Sequence, residues 1–143
     1  MEQIIAKFKK CYPNFVIESV EQNDNGIMIT DIYGMVYMVN KNGLVHADDM
    51  PAATGKGYEY WYNNGNLHHE DGPAVTGPNG TRYYIGGKLH RSDGPAIIHA
   101  DGRKEYFVNG MPMTQKFKKW AAKKKMEAHE EDFLIFVFEN NFG

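Results

Sequence analysis

Three segments of this chain repeat one another at a fixed distance, and that regularity constrains the fold more than any other property. They are Asn42-Gly43-Leu44-Val45-His46-Ala47-Asp48-Asp49-Met50-Pro51-Ala52, Asn64-Gly65-Asn66-Leu67-His68-His69-Glu70-Asp71-Gly72-Pro73-Ala74 and Gly86-Gly87-Lys88-Leu89-His90-Arg91-Ser92-Asp93-Gly94-Pro95-Ala96. Gly43, Gly65 and Gly87 are 22 residues apart, and so are His46, His68 and His90, Asp49, Asp71 and Asp93, and Pro51, Pro73 and Pro95. Asn109-Gly110 opens a fourth unit that stops almost at once. Self-similarity at one period is the mark of stacked supersecondary units.

Each period holds two turn signals. One is Asn42-Gly43, Asn64-Gly65, Gly86-Gly87 and Asn109-Gly110; the other is Lys56-Gly57, Pro78-Asn79-Gly80 and Asp101-Gly102. Such pairs supply the positive φ of tight hairpins, so each period contributes two strands. The first is short and aromatic, at 58–62, 81–85 and 104–108. The second carries His-x-x-Asp-(Gly)-Pro-Ala and should kink at Pro73 and Pro95, because proline has no N–H for a ladder. The expected fold is mainly β: an antiparallel β-meander of hairpin repeats. In it Val45, Leu67 and Leu89 form one row, Ala52, Ala74 and Ala96 a second, and Ala53, Val75 and Ile97 a third.

The Tyr/Trp-x-x-Asn-Gly-x-x-His pattern at this spacing resembles MORN-type repeats. The His-x-x-Asp-Gly-Pro-Ala ending is similar to a variant found in bacteriophage and giant-virus proteins. The resemblance covers residues 35–113. The standard pattern has Gly-x-Gly after the histidine where this chain has Arg91-Ser92-Asp93-Gly94-Pro95, so what the resemblance implies is the architecture rather than lipid binding by the repeats. It also implies a viral accessory protein that binds, and inhibits, a host protein such as a defence factor, in the host cytoplasm.

The flanks, 1–34 and 114–143, read as caps on a single domain spanning 1–143. Ile4, Ile5, Phe8, Cys11 and Tyr12 share one helical face, which predicts a buried Cys11 before Pro13 ends the helix. Two strands follow around Asn23-Asp24-Asn25-Gly26. Thr114 is the expected N-cap of a basic helix, which holds six of the 16 cationic residues. Those cations sit at the end where the helix dipole disfavours them, so they do not serve a lone helix. The uniformly apolar run 133–138 is either a buried strand closing the sheet or a final buried helix turn, with a short apolar strand the expected form and both faces covered.

The chain pairs 16 Lys and Arg with 18 Asp and Glu, which disfavours a globally basic nucleic-acid binder. One cysteine permits no internal disulfide and no zinc site needing two thiolates. The start lacks an apolar leader and 133–138 is too short to span a bilayer, so a cytoplasmic protein is expected. The histidine row is unsuited to zinc: repeats two strands apart lie on the order of 10 Å from each other, whereas zinc ligands sit about 2 Å from the ion. Each imidazole is instead expected to bond its own Asp or the bulge backbone, with His46, His68, His90, Asp49, Asp71 and Asp93 as structural residues. Ser19 and Ser92 lie in no nucleophile elbow. Gly86-Gly87-Lys88 lacks the Ser/Thr of a phosphate loop, and Phe133 stands where a His-Glu-x-x-His motif needs histidine. No enzyme, metal or cofactor is expected.

Two surfaces remain. Tyr60, Trp61, Tyr62, Tyr83, Tyr84 and Tyr106 form an aromatic row of the kind that anchors protein interfaces. Lys116, Lys118, Lys119, Trp120, Lys123, Lys124 and Lys125 form a basic patch suited to nucleic acid or anionic lipid. A non-enzymatic protein-binding module is the expected function, a nucleic-acid or anionic-membrane adaptor the alternative, and a homo-oligomer a third arrangement.

Overall fold

A computed structural model describes residues 1–142. The chain begins with α1 (Glu2–Cys11), β1 (Ile17–Asn23), β2 (Gly26–Asp31) and β3 (Val36–Val39). The middle of the chain then supplies β4 (Ala53–Gly55), β5 (Tyr58–Tyr60), β6 (Tyr62–Asn63) and β7 (Asn66–Leu67). It continues through β8 (Val75–Gly77), β9 (Gly80–Arg82), β10 (Tyr84–Ile85) and β11 (Lys88–Leu89), and ends with β12 (Ile97–His99), β13 (Lys104–Glu105), β14 (Phe107–Val108) and β15 (Met111–Pro112). The helices α2 (Thr114–Lys123) and α3 (Phe133–Glu139) close the chain.

Nine strands form one antiparallel sheet in the order β1-β2-β3-β4-β5-β8-β9-β12-β13, and three separate hairpins, β6-β7, β10-β11 and β14-β15, leave it. The hairpin tips obey their turn chemistry. Both central residues have positive φ at Asn64-Gly65 (47° and 84°), Gly86-Gly87 (56° and 81°) and Asn109-Gly110 (51° and 81°), as tight hairpins require.

Each expected aromatic strand is broken in two, at Trp61, Tyr83 and Tyr106. The cause is a change of hydrogen-bond partner. The Trp61 N–H donates to the Ala74 carbonyl of the main sheet (2.7 Å), while its own carbonyl accepts from the His68 N–H of the outer hairpin (3.0 Å). Tyr83 does the same with Ala96 and His90. At Tyr106 the N–H donates instead to Thr114 Oγ1 (3.0 Å). The expected helix N-cap therefore terminates the hairpin array instead; Met113 occupies the cap position of α2 without a side-chain bond.

The register sets Tyr37, Ala53, Tyr60, Val75, Arg82, Ile97 and Glu105 side by side across the sheet. Cross-strand neighbours share a face. Ala52, Ala74 and Ala96 are all fully buried, so that row carries the close packing between hairpins. A Cβ on Gly77 would run into the Tyr58 ring, which is why glycine sits opposite that tyrosine.

Larger side chains bury at the two ends. Phe8, Ile27, Ile29, Val39, Val45 and Ala52 form one core under α1. Gly43 lets α1 approach closely, since a Cβ there would collide with the Lys7–Phe8 backbone. Tyr106, Val108, Met113, Phe117, Phe133, Phe136 and Val137 form the other core under α2 and α3.

Two flank expectations are corrected. Cys11 is exposed, because Phe8 is the only fully buried residue of α1 and Cys11 ends the helix beyond it. The run 133–138 is helix, not strand. Phe133, Phe136 and Val137 close over Tyr106 and Phe117 at helical spacing, and the edge strand β13 offers only two residues for a new strand to pair with. Nor are both faces covered: Leu134, Ile135 and Phe138 are exposed.

Candidate functional site

The aromatic row divides into three environments. Tyr58, Tyr60 and Tyr62 follow one another along the kinked β5–β6 segment, with ring centroids 5.9 and 6.4 Å apart. Tyr58, Tyr60 and Tyr84 line a groove of about 220 Å³ with Leu67, Val75 and Ile97. Burial, with the phenols of Tyr60, Tyr12 and Tyr84 nearby, pushes the Tyr62 hydroxyl above its ordinary range; Tyr62 stands beside the groove rather than in it, and Arg82 gives the groove lining a positive charge. Tyr37 is raised further, by burial and by its hydrogen bond to the buried Asp31.

Trp61 and Tyr83 lie elsewhere. Trp61 stacks on His69 at 3.8 Å between ring centres with planes 5° apart. Twenty-two residues on, the Arg91 guanidinium lies 4.2 Å over the Tyr83 ring. The same two cover residues close the Asp-Gly-Pro loops: His69 Nδ1–H donates to the Pro73 carbonyl (3.0 Å) and Arg91 Nη1 to the Pro95 carbonyl (3.2 Å). Tyr106, expected at the interface, is 6% exposed and packs against Phe117 and Phe133; it is a core residue with no surface to offer.

The histidine row has a different bonding pattern from the expected one. Nδ1 of His46, His68 and His90 accepts the backbone N–H of Asn64 (3.1 Å), Gly86 (2.9 Å) and Asn109 (3.0 Å). Each imidazole thus ties its hairpin to the tip of the next, and its hydrogen must sit on Nε2. His46 Nε2 faces Asp48 at 3.0 Å and His68 Nε2 faces Glu70 at 3.6 Å. The carboxylate partner is two residues on, not three; Asp93 instead accepts from Arg91 Nε at 2.9 Å, and Asp49 and Asp71 line grooves beside the histidines. Met113 stands where a fourth histidine would. Among the described residues, no group of three His, Cys, Asp or Glu side chains is placed to hold a metal ion.

The basic patch is also reshaped. Trp120 turns towards α3, where its indole N–H donates to Glu139 Oε2 (2.9 Å), and Lys124 Nζ donates to Oε1 of the same carboxylate (2.8 Å). Those two bonds hold the Glu139 carboxyl below the usual carboxylate range. The acidic segment after α2, residues 127–132, makes its ion pairs elsewhere: Glu130 pairs with Lys104 of the sheet (2.8 Å) and Glu127 lies 3.7 Å from His129.

Sequence reasoning missed His69 and Arg91 as loop clamps. Their signal was present, a planar side chain eight residues after each Trp61 or Tyr83. It also missed Thr114 as terminator, which only a partner in the last hairpin reveals. Among the described residues no helix is long and apolar enough to cross a membrane. Comparison with protein-family models, with curated proteins and with solved structures found no match to this chain.

Proposed function

We propose that this chain is a non-enzymatic protein-binding module built of MORN-like hairpin repeats of about 22 residues. The carrying observation is the tyrosine groove: Tyr58, Tyr60 and Tyr84 are half-buried and belong to neither terminal core. Tyrosine offers large contact area at small entropic cost, with a hydroxyl for hydrogen bonding. The histidine ties between hairpins hold the groove's walls in place, and a rigid wall loses little freedom on binding. The resemblance to viral repeat proteins points to a host protein as the partner and to inhibition as the consequence.

Self-association through sheet edges has less support. The edge strand β1 bears Glu18 and Glu21 and an irregular register between Ile17 and Ser19, and β13 is two residues long. Both devices blunt edges.

The test is affinity capture from a host lysate followed by titration calorimetry on the recovered partner. Tyr60→Ala and Tyr84→Ala should each weaken binding by about 2 kcal/mol, roughly thirtyfold. A partner that binds both variants as tightly as the parent protein overturns the proposal.

A further inference from the structure

We propose that the outer face of the α2–α3 pair docks on an anionic membrane surface. The helix α3 turns Phe133, Phe136 and Val137 into the core and leaves Leu134, Ile135 and Phe138 outside, at 51%, 51% and 84% exposure. A face so apolar is uncommon on a chain that keeps to water.

Lysines border it. The two helices meet along a seam marked by Lys116, Trp120 and Lys124 of α2 and its C-terminal extension. Trp120 packs on Phe136, Trp120 and Lys124 reach Glu139, and Lys116 Nζ lies 5.9 Å from the Phe142 ring. Both helices rest on one core, Phe117 meeting Phe133 and Phe136. One helical step past the seam, away from that core, α2 places Lys119 and Lys123 and α3 places Ile135; Phe138 and Leu134 continue the apolar face round α3 to the groove they share with Ser92. Lys116, Lys118, Lys119, Lys123 and Lys125 form no ion pair among the described residues.

The chemistry selects a bilayer. Two copies meeting through this face would bring two sets of unpaired lysines into one interface with no carboxylates to offset them. Single-stranded nucleic acid is held by successive aromatic stacking platforms; here Phe138 stands among aliphatic Leu134 and Ile135, which stack no base, and Trp120 is turned inward with its N–H committed to Glu139. An anionic bilayer uses both features: lipid phosphates and carboxylates meet the ammonium groups, and Leu134, Ile135 and Phe138 enter the acyl boundary. This surface does not include the tyrosine groove, so each proposal stands or falls alone.

Vesicle co-sedimentation of the intact chain tests it, using phosphatidylcholine vesicles with and without about 30 mol% phosphatidylserine. The protein should pellet with the anionic vesicles and stay in solution with the neutral ones. Lys119→Glu should weaken partitioning about fivefold or more, and Phe138→Ser about tenfold or more. Both substituted side chains are exposed, and an unchanged thermal melt certifies folding. The proposal fails if the parent protein ignores anionic vesicles at low salt, or if both variants still pellet like the parent. It fails equally if RNA or DNA binds while Phe138→Ser leaves that binding intact, or if light scattering shows a dimer that Phe138→Ser dissolves.

Discussion

Replacing Thr114 by valine isolates the bond that ends the hairpin array. Valine matches threonine in shape, so packing is preserved, but the acceptor for the Tyr106 N–H (3.0 Å) is gone. Tyr106 is 6% exposed and lies beneath Phe117 and Phe133, so water cannot replace the lost acceptor without opening the C-terminal core. A buried unpaired N–H costs about 1–3 kcal/mol. At about 2.1 cal/mol/K per residue the whole chain has an unfolding entropy near 0.3 kcal/mol/K, so a loss of about 2 kcal/mol lowers Tm by roughly 7 °C. Urea unfolding followed by tryptophan fluorescence measures the loss, since Trp120 sits against Phe117 and Phe136 in the same core. Thr114→Ser keeps the oxygen and should recover most of the stability. A valine variant within about 0.3 kcal/mol of the parent, or a serine variant as weak as valine, refutes the reasoning.

Other perturbations test other joints. Burial holds the His90 imidazole below its ordinary range, and its Nδ1 accepts the Asn109 N–H only when unprotonated. The folded chain therefore binds fewer protons there than the unfolded one. The stability His90 contributes should be full above about pH 6.5 and be lost as pH falls below it through the lowered folded-state range; His90→Asn should flatten part of that decline in urea titrations across pH 5–8. Gly77→Ala forces a Cβ against the Tyr58 ring and should cost about 1–3 kcal/mol. In Gly77→Ala/Tyr58→Ala most of the added cost should vanish, read as a coupling energy in a double-mutant cycle.

What the sequence revealed follows from how local each determinant is. The hairpin tips were legible because Asn64-Gly65 and its counterparts encode positive φ in the residues themselves. The alanine row was legible because a small residue recurs at one offset where hairpins pack closely. The strand breaks at Trp61 and Tyr83 were not, since they arise from partners 13 residues later, at Ala74 and Ala96. The histidine bonds were misassigned for the same reason: the true acceptor geometry points to an N–H 18 or 19 residues on, while a carboxylate stood three residues away. An unbroken apolar run has no periodicity to read, so 133–138 gave no sign that three of its residues would face outward. In the aromatic row, composition marked residues of the kind interfaces use but not their separation. Tyr60, Tyr62 and Tyr84 gather on one side, Trp61 and Tyr83 are clamped by His69 and Arg91, and Tyr106 is consumed by the C-terminal core.

The measurement that bears most directly on the tyrosine groove is hydroxyl-radical footprinting of the chain with and without its captured partner. The account predicts protection of Tyr58, Tyr60 and Tyr84, with Trp120 and Phe138 unchanged. Protection confined to the two terminal helices, with those three tyrosines as reactive as before, would contradict it.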